Sequence, residues 1–135
     1  MVEYALSHTP RSCVARIEFL ESVPGQGLDG QAYILDPDPK FNTDPGHLSL
    51  IRVWVSYNNP LQYPEVQEYA PGVKVRFSSY DEELLHTIAH EMCHIRQFVL
   101  TPWWQVSAEA KEVEAELFAI DVVQSWLGRS EKRAA

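Results

Sequence analysis

Apolar side chains recur every three or four residues between Leu84 and Leu100, which predicts an amphipathic helix. A capping box marks its start, because Ser79 precedes Glu82 by three residues. The helix should end near Leu100, since the following Thr101-Pro102 cannot continue it. Its apolar side is formed by Leu84, Ile88, Met92, Ile95 and Val99, and another side carries His86, His90, His94 and Gln97. One side is suited to packing and the other to coordination.

Four stretches before this helix have the alternation and the β-branched and aromatic residues of strands. They are Cys13–Leu20, Gln31–Leu35, Leu48–Tyr57 and Val73–Phe77. The third is the strongest of them, and we expect it to lie in the sheet next to the helix. The segment between Tyr63 and Gly72 contains prolines and predicts a loop that leads to the fourth strand. These elements indicate an α+β fold with a small twisted sheet of about four strands.

A second long helix is predicted from Ala108 to Leu127, with Ser107 as its N-cap and Gly128 closing it. The residues from 129 to 135 are polar and basic, which is typical of a frayed tail. A chain of 135 residues with 45% hydrophobic and 11% aromatic residues is long and apolar enough for one core. We therefore expect one domain over residues 1–128 and a polar tail over 129–135.

Charge and cysteine usage exclude several functions. The 11 basic and 19 acidic residues give a net charge of −8, which argues against a phosphate-binding surface and hence against nucleic acid as a partner. No run approaches the roughly 18 apolar residues of a membrane span, and the first residues lack the order of a signal peptide, so we expect a cytoplasmic protein. Cys13 and Cys93 lie far apart and form no CxxC pair, so both are expected to be free thiols.

The central helix contains the motif His90-Glu91-Met92-Cys93-His94, an HExxH pattern. Two histidines four residues apart project from one helix face, so their ring nitrogens can converge on one metal ion. Glu91 lies about 100° round the helix from His90, where a general base can take a proton from a water that the metal activates. The competing interpretation is an amphipathic helix whose histidines are only partly buried and hydrogen-bonded.

A catalytic zinc site needs about three protein ligands. No histidine follows His94, so the remaining donor must be a carboxylate of the second helix, which contains Glu109, Glu112, Glu114 and Glu116. Taking Glu112 as the reference, Glu109 and Glu116 lie within about 60° of it, whereas Glu114 points about 160° away. Glu112 is central to a face of small alanines and is the first choice. Any one of these acids taken singly is also compatible with a solvated helix face.

Three further residues are candidates for outer positions around the metal. Glu116, one turn after Glu112, is placed to hydrogen-bond His90 or His94 and fix its ring, although the ligand register could also lie one turn later. Glu109 is an alternative on the same face. His86 shares the ligand face one turn before His90, where it is either an outer group or a core histidine.

The segment His90 to Gln97, followed by Glu112 to Ala119, resembles the gluzincins, and among them the small ImmA/IrrE-type metallopeptidases and similar short phage and bacterial HExxH proteins. In the second segment Glu112, Ala115, Phe118 and Ala119 match the family pattern, whereas Glu116 stands where the family often has asparagine or aspartate. The resemblance covers roughly Tyr80 to Val123. It implies a compact zincin fold in which Zn²⁺ is held by His90, His94 and Glu112, with Glu91 as the catalytic base.

Two functions follow from these patterns. The first is a zinc endopeptidase that admits an extended peptide or protein substrate alongside Leu48–Tyr57, if that strand forms a sheet edge. Its oxyanion-stabilising group would come from Tyr57, Tyr63, Tyr69, Tyr80 or His86. The second is a zincin-like module that binds metal or keeps only the fold, and acts in interaction or regulation. The presence of Glu91 favours the first, whereas small size favours the second.

Overall fold

The fold was analysed in a computed structural model, which describes residues 16–21, 28–34, 40, 49–55, 63–70, 72–100 and 105–134, the side chains of 69, 70 and 129–134 excepted. The strands are β1 (Arg16–Glu21), β2 (Asp29–Ile34), β3 (Ser49–Val55), β4 (Glu65–Ala70) and β5 (Val73–Phe77), and the helices are α1 (Tyr80–Leu100) and α2 (Ala108–Ala134). The predicted α+β class is confirmed. The described strands form two small sheets rather than one.

The larger sheet has the order β1-β3-β2. Strand β1 runs parallel to β3, with Phe19 opposite Val53, and β2 runs antiparallel to it, with Ala32 opposite Ile51. As the central strand, β3 is the most buried, at Ser49, Leu50, Ile51, Val53 and Val55. The condition for a peptide to bind alongside Leu48–Tyr57 is therefore not met, because both edges of β3 are already paired over the described residues.

The smaller sheet is an antiparallel hairpin of β4 and β5, so the loop predicted between Tyr63 and Gly72 was wrong. Gly72 has a φ of 80°, a left-handed conformation that glycine adopts without steric cost, and it turns the chain between the strands. Strand β4 escaped prediction because its sequence, Glu-Val-Gln-Glu-Tyr-Ala, has charged residues in place of a run of β-branched ones. Its outward positions, Val66 and Glu68, are exposed.

Helix α1 begins and ends where the sequence predicts. The hydroxyl of Ser79 accepts a hydrogen bond from the backbone N–H of Glu82 at 3.2 Å, as a capping box requires. The Glu82 carboxylate returns to the backbone N–H of Ser78, one residue before the cap. Both contacts satisfy N–H groups that a helix start leaves without intrahelical partners.

Helices α1 and α2 pack against each other, α1 also packs against β2 and β3 of the larger sheet, and α2 packs against the hairpin of β4 and β5. Ile88, Met92 and Ile95 of the predicted stripe are fully buried, but Val99 is 45% exposed and Leu85 replaces Leu84 as the buried position of the first turn. The core cluster consists of Ile51, Val53, Val55, Leu85, Ile88, Ala89, Met92, Ile95, Ala119, Val122 and Val123.

Helix α2 begins as predicted, because the Ser107 hydroxyl accepts a hydrogen bond from the Ala110 N–H at 3.1 Å. Its predicted end at Gly128 was wrong, since the helix continues to Ala134. Gly128 does not adopt the left-handed conformation of a C-terminal cap, and a glycine within a helix lowers stability by only about 1 kcal/mol. The segment expected to be a frayed tail is therefore helical up to Ala134.

Neither described helix contains a stretch that is long and apolar enough to cross a membrane. Cys93 is a free, buried thiol, as predicted. Cys13, at the start of the first predicted strand, lies outside the described residues. So do Leu35, Leu48, Ser56 and Tyr57, which are ends of the second and third predicted strands.

Candidate metal centre

His90 and His94 lie on successive turns of α1 and face each other. Their Nε2 atoms are 3.0 Å apart, and their rings are nearly perpendicular, with centroids separated by 4.7 Å. Both side chains are largely buried, with 12% and 15% of their surface exposed. The i, i+4 spacing therefore produces the convergence of ring nitrogens that the motif predicts.

Glu112 of α2 completes the cluster from the facing helix. Its Oε2 lies 3.2 Å from Nε2 of His90, and its Oε1 lies 3.0 Å from Nε2 of His94. Donor atoms of these three residues all fall within 4.8 Å of one another, close enough to hold a metal ion. The structure thus brings together the three residues that the sequence analysis selected as ligands.

Glu116 lies behind His90 rather than in front of it. Its Oε1 is 2.5 Å from Nδ1 of His90, and its Oε2 is 3.1 Å from Nε2 of His86. Burial alone would raise the pKa of this carboxyl, but the contacts with the two histidines outweigh it and lower the pKa to about 2. Glu116 is therefore an ionised, fully buried group that orients His90, and His86 is its second partner.

Gln97 has the corresponding position behind His94, and the sequence analysis gave it no role. Its amide Nε2 donates to the backbone carbonyl of Lys111 at 2.9 Å and to Glu114 Oε1 at 3.1 Å. This fixes the amide so that its Oε1 faces Nδ1 of His94 at 3.0 Å. The only sequence signal for Gln97 was its place on the histidine side of the helix.

The acceptors behind the histidines decide how the rings are protonated. Because Glu116 and Gln97 present oxygen atoms to Nδ1, each Nδ1 carries the hydrogen and each Nε2 turns a lone pair towards the cluster. Two nitrogen lone pairs and the Glu112 carboxylate then converge within about 3 Å. Such a set of acceptors repels itself unless a proton or a cation lies among them. The donor set therefore fits a metal cation.

Glu91 stands beside the cluster, on the side of strand β2. Burial raises the pKa of its carboxyl, while His90, His94 and a backbone hydrogen bond from Ala32 act in the opposite direction. The strand approaches the helix closely at Gly30, where an added Cβ would lie 2.7 Å from Cγ2 of Thr87 and 3.1 Å from Cγ of Glu91. Only glycine allows β2 to lie this near the motif helix.

An open cleft of about 390 Å³ leads to the cluster between β2 and the two helices. It is lined by Gly30, Gln31, Ala32, His90, Glu91, His94 and Glu112. A narrower cavity of about 120 Å³ adjoins it and shares Gly30, His90, Glu91 and Glu112 with the cleft. The candidate base and ligands are therefore accessible to a small group entering from the cleft.

Several predicted site residues are placed elsewhere. Glu109 is exposed and lines a separate groove with Arg96, and it is not among the residues that line the cleft or the small cavity. Glu114 does not face the cluster, as predicted, but it does hydrogen-bond Gln97. Tyr63 donates its hydroxyl to Glu83 at 2.6 Å, and Tyr80 lines neither the cleft nor the cavity. Tyr57 and the Tyr69 side chain lie outside the described part of the chain.

A scan against protein-family models finds no match to this chain, and searches of curated proteins and of solved structures find none either. The similarity to gluzincins thus rests on the residues of α1 and α2 themselves.

Proposed function

We propose that this protein is a zinc-dependent metallopeptidase of the gluzincin type, with a compact zincin-like fold. The observation that supports it best is the arrangement around the histidine pair. Two Nε2 atoms and the Glu112 carboxylate converge, both Nδ1 atoms are held from behind, and Glu91 stands beside the cluster. A helix with buried histidines would need neither the facing carboxylate nor the neighbouring glutamate.

Zinc is the ion that suits this donor set, because two imidazoles and one carboxylate are the ligands of many catalytic zinc sites and leave a position open. His90, His94 and Glu112 would hold it. When bound, zinc lowers the pKa of a water molecule and polarises a substrate carbonyl.

Glu91 is the proposed general base. Its carboxylate takes a proton from the attacking water and delivers it to the leaving amine as the peptide bond breaks. Burial raises its pKa towards the operating pH, which makes it a stronger base than an exposed glutamate. The hydrogen bond from Ala32 fixes the carboxylate between strand and helix, so the proton transfer needs no large rearrangement.

The substrate would run along β2 rather than β3. Strand β2 pairs only with β3 in the described sheet, and its residues Gly30 to Ala32 line the cleft at the cluster. An extended peptide can add to such an edge through main-chain hydrogen bonds. This route brings a peptide carbonyl to Glu91 and the ligand set.

The test combines metal content with hydrolysis. His90→Ala and His94→Ala should each abolish stoichiometric zinc in the purified protein. Glu91→Gln should keep zinc and the fold but lose cleavage of a peptide library, because an amide cannot accept the proton. Glu109→Gln is the matched control, since this exposed glutamate lies outside the site, and it should leave both properties unchanged.

The second function, a metal-binding interaction module without hydrolysis, is separated by the same variants. It predicts zinc binding that depends on both histidines, together with no chelator-sensitive cleavage by the wild type. Full zinc occupancy in both histidine variants would overturn the metal site and, with it, the peptidase and the metal-binding module, and would leave only a module that keeps the fold.

A further inference from the structure

The small cavity beside Glu91 suggests which substrates the proposed peptidase accepts. It has a volume of about 120 Å³ and is lined by Leu28, Asp29, Gly30, His86, Thr87, His90, Glu91, Glu112 and Glu116. Because it shares Glu91, His90 and Glu112 with the open cleft, it branches from the cleft at the reacting position. A residue next to the scissile bond can therefore place its side chain there.

The volume sets an upper limit on that side chain. A cavity of about 150 Å³ binds benzene, which has six non-hydrogen atoms, so this cavity of about 120 Å³ accommodates about four to five. Serine, threonine, asparagine, aspartate, valine and leucine satisfy this limit, whereas phenylalanine, tryptophan and arginine exceed it.

The lining then selects by charge and polarity. Four carboxylates, those of Asp29, Glu91, Glu112 and Glu116, border the cavity, and no lysine or arginine among the described residues does. A divalent ion at the cluster still leaves an excess of negative charge, which repels an aspartate side chain. Carboxylates accept hydrogen bonds and do not donate them when ionised, so a donor side chain is favoured over an apolar one of equal size.

We infer that this cavity is a specificity pocket for a small, uncharged, hydrogen-bond-donating side chain next to the cleaved bond, of which serine, threonine and asparagine are the members. The inference rests on the proposed function. It defines which side chains are accepted next to the cleaved bond, which the metal cluster alone does not.

Sequencing of the bonds that the zinc-loaded wild type cleaves in a peptide library tests the inference. One position next to the scissile bond should be enriched in serine, threonine and asparagine and depleted in aspartate and aromatic residues. Matched peptides that differ only by asparagine or aspartate at that position should differ in kcat/KM by about tenfold or more. Equal cleavage of the two, or ready cleavage with phenylalanine there, would overturn the proposed pocket.

Two variants of lining residues should change the preference in defined ways. Thr87→Ala removes two non-hydrogen atoms from the wall and should admit side chains larger than leucine. Asp29→Asn keeps the shape, removes one charge, and should narrow the ratio between asparagine and aspartate peptides. Leu117→Ala, on the exposed outer side of α2, is the control and should leave the preference unchanged. An unchanged preference in both lining variants would also contradict the inference.

A binding measurement separates failure of the pocket from failure of the proposed function. Short peptide hydroxamates can bind the zinc-loaded wild-type protein whether or not it hydrolyses peptides. Those that carry an asparagine side chain should bind about tenfold or more tightly than those that carry aspartate. If the wild type cleaves no peptide, yet asparagine hydroxamates still bind more tightly than aspartate ones, the peptidase proposal fails and the pocket stands. If cleavage occurs without the order, only the pocket fails.

Discussion

The roles of the three neighbouring glutamates of α2 can be separated by their amides. Glu112 contacts both Nε2 atoms, Glu116 contacts Nδ1 of His90, and Glu114 reaches only Gln97 and the Cys93 sulfur. Replacing each by glutamine keeps the volume and removes the charge. We expect zinc affinity to fall most for Glu112→Gln, less for Glu116→Gln and least for Glu114→Gln.

The size of each loss follows from what the side chain touches. Glu116→Gln replaces a buried carboxylate behind a ligand, and loss of such a partner typically weakens metal binding by about 10–100-fold, or about 1.4–2.7 kcal/mol. Glu112→Gln removes an anionic ligand itself and should weaken binding by more than about 100-fold. Glu114→Gln should change it by less than about threefold, because the Lys111 carbonyl also holds the Gln97 amide.

A competitive zinc titration against a chromophoric chelator measures the three affinities. Thermal unfolding of the zinc-free proteins checks that Glu116→Gln remains folded, since this glutamate is fully buried whereas the Glu112 side chain is 46% exposed. Glu109→Gln, exposed on the same helix, serves as the control. A Glu116 variant that binds zinc more weakly than the Glu112 variant would mean that the ligand lies one turn later, and the proposed cluster would be wrong.

Three further predictions concern the surroundings of the cluster. Gln97→Leu should weaken zinc binding by about 10–100-fold in the same titration, because the amide oxygen that faces Nδ1 of His94 is then lost. An unchanged affinity would remove Gln97 from the site. Gly30→Ala should lower the free energy of unfolding in urea by about 1–3 kcal/mol, because the new Cβ meets the methyl group of Thr87. Thr87→Ser removes that methyl group and should recover part of the lost stability in the double variant. Additive effects of the two substitutions would contradict the contact. Tyr63→Phe removes a hydrogen-bond donor to the buried Glu83 carboxyl and should lower the free energy of unfolding by about 1.5–3 kcal/mol. Burial raises the pKa of Glu83, and the ionised carboxylate that needs this donor prevails only above that pKa. The loss of stability in Tyr63→Phe should therefore shrink as the pH falls towards 4.5. A loss of stability that is independent of pH would refute the role of this hydrogen bond.

The parts of the structure that the sequence predicts are those controlled by local geometry. Helix α1 is defined within a few residues by its cap and by Pro102, and the facing of His90 and His94 follows from their spacing. Glu112 was selected because the small side chains Ala115 and Ala119 allow a close helix approach, and both are fully buried in the structure. Strand β4 and the end of α2 were missed, because pairing in a hairpin and continuation of a helix past Gly128 override weak local preferences.

The features that complete the site come from contacts between elements distant in the chain, and this is why sequence patterns did not show them. Gln97 acts on His94 only because the Lys111 carbonyl of the other helix fixes its amide orientation. Strand β2, rather than the stronger β3, borders the cleft because β3 takes partners on both sides and leaves β2 at the described edge. Its approach in turn depends on Gly30, since any side chain there would meet Thr87 and displace the strand from Glu91. A metal cluster predictable from the sequences of two helices thus depends, for its access and orientation, on packing that only the folded chain provides.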